Sequence, residues 1–221
     1  MLGRIELLLG FFGAWVIFNT LLYLLKRFSD GKLPFGSIPI EITNSSARNH
    51  PIGPMWARMT VTVGFGINSI IVICILFLCI LNQWNNIPTS IVYDFPTWLN
   101  WIGLMFIWIS YGWGTAVLYY NPNYTPLFST LKKKYVLATR GPYKIIRHPM
   151  YIQKALFPFL LFLTTGVWLT LLGLISWFTL PSQAKAEEKI LTEIFEDNYI
   201  HYQTRTGRFF PKIREIFQSA T

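Results

Sequence analysis

Three apolar runs, at residues 5–25, 59–81 and 98–119, restrict this chain more than any other feature. Each is close to the ~20 residues with which a helix crosses the hydrocarbon core of a bilayer. No water is available there to a peptide group, so a crossing segment must pair its own amides and carbonyls, which an α-helix does internally. With 52% of residues hydrophobic and only 13% charged, the chain is far more apolar than a water-soluble domain of its length needs to be. The expected fold class is an all-α membrane protein.

A fourth apolar run, 152–180, is long for one crossing and short for two, and its middle reads Leu163-Thr164-Thr165-Gly166, a sequence suited to a break. Charge decides how to divide it. The loop 26–58 carries Lys26, Arg27, Lys32, Arg48 and Arg58, whereas 83–96 carries no Lys or Arg. By the positive-inside rule the first loop is cytoplasmic and the second external, which puts the N-terminus outside. The segment 121–151, with Lys132, Lys133, Lys134, Arg140, Lys144 and Arg147, is then inside. So is the tail with Lys185, Lys189, Arg205, Arg208, Lys212 and Arg214. A run with both ends inside is a helical hairpin, here spanning about 149–196, and the total is about five transmembrane helices. Residues 1–120 form one part, with three helices and the cytoplasmic loop 26–58. Residues 121–221 form the other, with the hairpin and a cytoplasmic tail.

The net charge of +9 reads as this sidedness plus contact with anionic lipid, not as a nucleic-acid surface. Cys74 and Cys79 sit in one apolar run and read as buried small hydrophobes, with no companions for a metal site. No cleaved signal peptide is expected, because the first apolar run reads as a span. The loop 28–56, with Pro34, Pro39, Pro51, Gly53 and Pro54, is expected to be an ordered but irregular cap.

Ionisable groups gather where the fourth run begins, in Gly141-Pro142-Tyr143-Lys144-Ile145-Ile146-Arg147-His148-Pro149-Met150-Tyr151. Such groups are costly near hydrocarbon and mark function by default. Pro149 suits the first helical position, so His148 is expected at the N-cap, where exposed amides and the dipole favour an anion and Arg147 adds a forked donor. Tyr143 and Tyr151 offer aromatic faces to a cation. The competing reading is an interfacial belt of tyrosines with snorkelling Lys144 and Arg147. At the other end of the hairpin, Glu187 and Leu191 share a helical face, with Glu188 beside them. Alone, these read as a solvated acidic helix with Glu193, Glu196 and Asp197. Beyond them come Arg205-Thr206-Gly207-Arg208-Phe209-Phe210-Pro211, whose aromatic residues are expected to dip back to the membrane. The hairpin brings these motifs to one side.

The first run resembles the G-x-Y-x3-R-H-P-x-Y signature of the integral-membrane methyltransferases, the family of isoprenylcysteine carboxyl methyltransferase and the phospholipid N-methyltransferases. The block from Glu187-Glu188 through Tyr199, Tyr202 and Pro211 resembles the C-terminal half of that family's site. The resemblance covers about 135–211. It implies S-adenosylmethionine as cofactor, leaving as S-adenosylhomocysteine. The backbone around Leu137 and the residues Tyr143, His148, Pro149, Met150, Tyr151, Glu187 and Leu191 would form its binding site, with no metal. It implies catalytic roles for Arg208, Arg147 and Glu188, with Arg208 facing the acceptor. A lipid-like or prenylated acceptor follows. The Arg-Thr-Gly-Arg-Phe-Phe-Pro tail resembles the carboxyl type more closely, so a prenylcysteine-type carboxylate comes first and a phospholipid amine second. Two departures bear on the pocket wall: Gln153 and Glu196 stand where many members have glycine. Membrane sterol reductases share a similar R-H-P-x-Y corner, but the short chain and paired Glu187-Glu188 argue against them. A non-enzymatic scaffold leaves the clustered motifs unexplained. No Rossmann fingerprint, P-loop or nucleophile elbow is present.

Overall fold

The structure is a computed structural model that describes residues 2–29, 38–41, 55–121 and 134–212. Its helices are α1 (Arg4–Phe28), α2 (Met55–Ile80), α3 (Thr97–Tyr120), α4 (Pro149–Thr165) and α5 (Leu180–Arg205), with a single turn at Pro142–Ile145 and a 3-10 helix at Trp168–Phe178. Helices α1 and α3, and Thr62–Ile80 within α2, are long and apolar enough to cross a membrane, within a few residues of the expected bounds. Their outer faces carry exposed Leu9, Phe12, Ile17, Phe65, Ile73, Phe77, Trp101 and Ile109. A surface so apolar is unsuited to water and suited to lipid. Inside, Leu7, Phe11, Ile75, Cys79, Leu104, Ile107 and Leu161 form the core between the helices. Cys74, expected to be buried, is exposed on the outer face of α2.

The fourth apolar run doubles back at Gly166, whose left-handed conformation (φ 74°) closes α4. A side chain there would strike the Tyr93 carbonyl, so glycine is required both for the turn and for the approach. The return arm is a 3-10 helix where an α-helix was expected, and the geometry explains how so few residues suffice. Seventeen residues of α4 rise about 25 Å at ~1.5 Å each, and eleven residues of 3-10 helix rise about 22 Å at ~2.0 Å each. Hydroxyls line this arm: Thr170, Ser176 and Thr179 donate to the carbonyls of Val167, Gly173 and Ser176 at 2.8, 3.0 and 2.9 Å.

Hydrogen bonds identify what shares each end of the bundle. Trp84 Nε1 donates to the Leu2 carbonyl (3.0 Å), Tyr93 N to Gly166 (2.8 Å) and Trp168 Nε1 to Ser90 (3.0 Å). The N-terminus, the connection from α2 to α3 and the turn at Gly166 therefore lie together. The opposite end holds the start of α4, the Pro142–Ile145 turn and a small sheet. There β1 (Ile38–Glu41) pairs antiparallel with β2 (Lys134–Leu137), Ile38 opposite Leu137. This strand was not expected within the loop 28–56, and it qualifies the all-α reading. The remainder of that loop from 30 to 37 and 42 to 54, with Lys132 and Lys133, lies outside the described residues.

Helix α4 is fastened to α3 by two polar contacts: Asn100 Nδ2 donates to the Leu163 carbonyl (2.8 Å) and Gln153 Nε2 to the Ser110 carbonyl (2.7 Å). Gln153 takes up the space beside Gly114, where a Cβ would come within 2.6 Å of its amide. Helix α5 starts with Pro181 in its first turn and runs beyond the expected end at 196 to Arg205, where Lys212 Nζ caps the Gln203 and Thr204 carbonyls (2.8 and 2.7 Å). It is bent at Glu196, which holds φ 47° and ψ −125°. That region is open to glycine and strained for other residues, at about 1–3 kcal/mol. Glu196→Gly should relieve this strain and raise the unfolding free energy by roughly 1 kcal/mol, after the ~0.5–1 kcal/mol entropic penalty of glycine. Glu196→Ala, which keeps the Cβ, should not. Thermal unfolding of the two variants in detergent checks this, and equal midpoints would contradict it.

Candidate active site

The site is assembled around one carboxylate. Glu188, on α5, is 5% exposed and accepts hydrogen bonds from three cationic side chains. Arg147 Nε reaches its Oε1 at 2.9 Å, His148 Nε2 the same oxygen at 3.2 Å, and Arg208 donates through Nε to Oε1 at 3.0 Å and through Nη2 to Oε2. One turn of chain delivers the first two. Pro149 begins α4, His148 is its N-cap as expected, and Arg147 follows Ile146, which is in extended backbone. The tail delivers the third. Ile146 bridges to Gly207, Arg147 N donates to the Gly207 carbonyl (2.8 Å) and His148 N to the Arg208 carbonyl (3.2 Å). Gly207 makes this return possible, because a Cβ there would lie 1.6 Å from the Phe210 carbonyl oxygen.

Glu187 stands at the rim of this cluster. Its carboxylate is partly exposed, accepts from the Tyr151 hydroxyl and faces His148 Nδ1 at 3.4 Å. The imidazole is stacked on the Tyr151 ring, with centroids 5.3 Å apart and planes at 9°, and Phe209 closes its other side at 5.9 Å. Phe209 thus folds inward against this cluster, while Phe210 stays exposed. Arg147 is turned inward: besides Glu188 it donates through Nη1 to the carbonyls of Gln203 (3.3 Å) and Thr206, joining the end of α5 to the start of α4. Arg208 is the outer guanidinium, its side chain 34% exposed.

Electrostatics follow the contacts. Burial opposes the charged form of Glu188, but hydrogen bonds from His148, Arg208 and Arg147 outweigh it and hold the carboxyl well below the usual carboxylate range. Burial likewise opposes protonation of His148, and the hydrogen bonds and charges of Glu187 and Glu188 overcome it, leaving the imidazole above its ordinary value. Glu188 raises the Arg208 guanidinium further. Two guanidinium groups thus face two carboxylates, and a proton on His148 would add a further positive charge.

Arg147, His148, Tyr151, Glu187, Glu188 and Arg208 come together as the motifs suggested. Tyr143 and Met150 stand apart from the ion cluster. Tyr143 is buried with Val117 and Ala138, Met150 packs beside them, and the Tyr143 hydroxyl accepts from Asn121 Nδ2 at 3.0 Å. Leu137 and Leu191 meet in a third group, a shelf with Phe195, Tyr199 and Tyr202. Tyr202 links the groups by donating to the Tyr143 carbonyl at 2.6 Å. Asn121, Tyr199, Tyr202 and Thr206 were not among the expected site residues. The spacing of 188, 191, 195, 199 and 202 along α5 signalled the two tyrosines, since it repeats one helical face. His201 is exposed, as expected of a surface histidine.

The family model of phospholipid methyltransferase, a family of membrane enzymes that depend on S-adenosylmethionine, matches residues 97–198. The match bears out the resemblance of the R-H-P-x-Y run to that family. No curated protein matches the chain.

The residues present fit that cofactor. Glu187 is a partly exposed carboxylate with acceptor capacity for a diol or an ammonium. The shelf of Leu137, Leu191 and Phe195 is apolar enough for a purine. The hydroxyl of Tyr199 is buried beside it with no hydrogen-bond partner among the described residues.

The pKa shifts give a signed prediction. His148, raised in the folded state, stabilises the fold below its ordinary 6.5 and ceases to as pH climbs through its folded value. Glu188, lowered, contributes above its ordinary 4.5 and fails only in stronger acid. Thermal stability should therefore be greatest between these two limits and decline toward alkaline pH. His148→Gln should flatten the alkaline decline. A pH series of melting midpoints tests this, and an identical slope in both proteins would contradict it.

Proposed function

We propose that this protein transfers a methyl group from S-adenosylmethionine to a membrane-embedded acceptor of the prenylcysteine-carboxylate class, at a site on the cytoplasmic face. The observation that carries the reading is the Glu188 cluster, in which both arms of the fourth apolar run and the tail converge on one buried carboxylate. When bound, the cofactor supplies a methyl carbon on a sulfonium, transferable by direct displacement. Glu187 and Tyr151 hold its polar groups at the rim, and the Leu137, Leu191 and Phe195 shelf holds its purine. His148 fixes Glu187 from one side, and Arg147 acts as a positioning residue through Glu188. An ionised carboxylate acceptor needs no general base, so placement and charge carry the catalysis.

Arg208 is the group suited to the acceptor. Two of its five donors go to Glu188, and the guanidinium is the most exposed cation in the cluster. An outward guanidinium favours an anionic acceptor over an amine. The family's description favours the second reading, a phospholipid amine, but its match ends at residue 198, before the tail that carries Arg208. A cytoplasmic site is supported by the Lys and Arg of the loops, which read as lying on the same side as the cluster.

Purified protein should bind S-adenosylhomocysteine, and His148→Ala or Glu187→Ala should weaken that binding. Arg208→Ala should reduce turnover of a prenylcysteine analogue by at least about 100-fold with nearly unchanged S-adenosylhomocysteine affinity, and Lys should rescue poorly for want of a planar fork. Turnover of phosphatidylethanolamine, but not of the prenylcysteine analogue, would select the amine reading.

A further inference from the structure

The structure assigns to Tyr199 a role that rests on the cofactor reading above: its hydroxyl makes a hydrogen bond to the nucleoside part of S-adenosylmethionine. Tyr199 is 1% exposed, and its only polar side-chain atom has no partner among the described residues. Buried hydroxyls are ordinarily bonded, and one left unmade destabilises the fold unless something else takes it up. The buried amides Asn68 and Asn100 also have an oxygen without a partner, but each still donates through Nδ2, to the Gly64 and Leu163 carbonyls at 3.1 and 2.8 Å. Tyr199 has no such second group, and Ser110, the other buried hydroxyl without a partner among the described residues, lies on α3 outside the shelf.

Its position says which ligand atoms are near. The ring packs in one cluster with Leu137, Leu191 and Phe195, the surface suited to a purine, and against Tyr202 at 5.9 Å. Tyr202 in turn donates to the Tyr143 carbonyl and its own carbonyl accepts from Thr206, whose carbonyl accepts from Arg147, so Tyr199 packs between the apolar shelf and the segment that holds the ion cluster. A nucleoside bridges such a boundary, with a flat apolar ring on one side and hydroxyls and ring nitrogens toward the other. The bend at Glu196 matters here because it redirects the last part of α5, which carries Tyr199 and Tyr202.

Tyr202 provides the internal contrast. Its hydroxyl already donates to the Tyr143 carbonyl, so removing it breaks a bond of the free protein, whereas removing that of Tyr199 breaks none. Full-length protein in detergent is compared as wild type, Tyr199→Phe and Tyr202→Phe, with melting measured without ligand and affinity measured by calorimetry. Two probes are used: S-adenosylhomocysteine, and 5′-methylthioadenosine, which keeps the nucleoside and lacks the amino-acid part. Tyr199→Phe should melt at or above the wild-type midpoint and bind both probes about five- to tenfold more weakly. Tyr202→Phe should melt lower. Wild-type protein that does not bind S-adenosylhomocysteine would overturn the cofactor reading and this assignment with it. Wild-type binding with undiminished affinity in Tyr199→Phe would overturn the assignment alone, as would a loss confined to S-adenosylhomocysteine. A lowered midpoint in Tyr199→Phe without ligand would show the hydroxyl already engaged within the protein and refute the proposal.

Discussion

A single buried carboxylate organises the C-terminal half of this molecule. Charge removed from water is stable only where partners replace the water, and Glu188 obtains three of them from segments far apart in the chain. Arg147 and His148 come from the approach to α4, and Arg208 from beyond the end of α5. Each partner is held by something else as well: Arg147 by the Gln203 and Thr206 carbonyls, His148 by Glu187 and two aromatic rings. Truncating such a carboxylate leaves its cations unpaired and costs about 3–5 kcal/mol. The geometry of Glu187 and Tyr151, the rim of the proposed cofactor site, is inherited from that arrangement.

Much of this was legible before any coordinates. Apolar length marked the three spans, and the absence of Lys and Arg from 83–96 required the fourth run to return on itself. The 3-10 form of the return arm was not legible, because apolar composition is the same for either helix and only the depth to be covered in eleven residues selects the steeper rise. Nor was β1, since Pro39 and its surroundings signal an irregular loop and the partner strand lies almost a hundred residues on. The motifs contain the members of the ion cluster, because Arg147, His148, Glu187 and Glu188 lie where the two arms approach each other and Arg208 lies in the tail that returns to them. They did not show that Arg147 turns inward, or that Tyr143 belongs with α3, since those orientations depend on carbonyls that carry no sequence signature.

Gln153 and Glu196, the two positions where the motif resemblance expects glycine, are accommodated in different physical ways. At Gln153 the added side chain is accommodated on α3, where Gly114 leaves space and the Ser110 carbonyl accepts its amide, so the change becomes a fastening between two helices. At Glu196 the backbone keeps a conformation suited to glycine and the side chain is carried at a cost in strain. One replacement is absorbed by packing, and the other is retained because the surrounding contacts of α5 determine the bend.

The return of the tail along residues 146–148 has a consequence for biosynthesis. A chain emerges from its N-terminus, so Arg147, His148 and Glu188 are already made while Arg208 is still to come. In that interval Glu188 has only part of its complement, and the backbone amides of Arg147 and His148 lack the carbonyls of Gly207 and Arg208. The spans can enter the bilayer early, on apolar length alone, but the cluster closes last. Nascent protein would therefore be inserted before it is competent, with an unfinished polar corner until the tail docks.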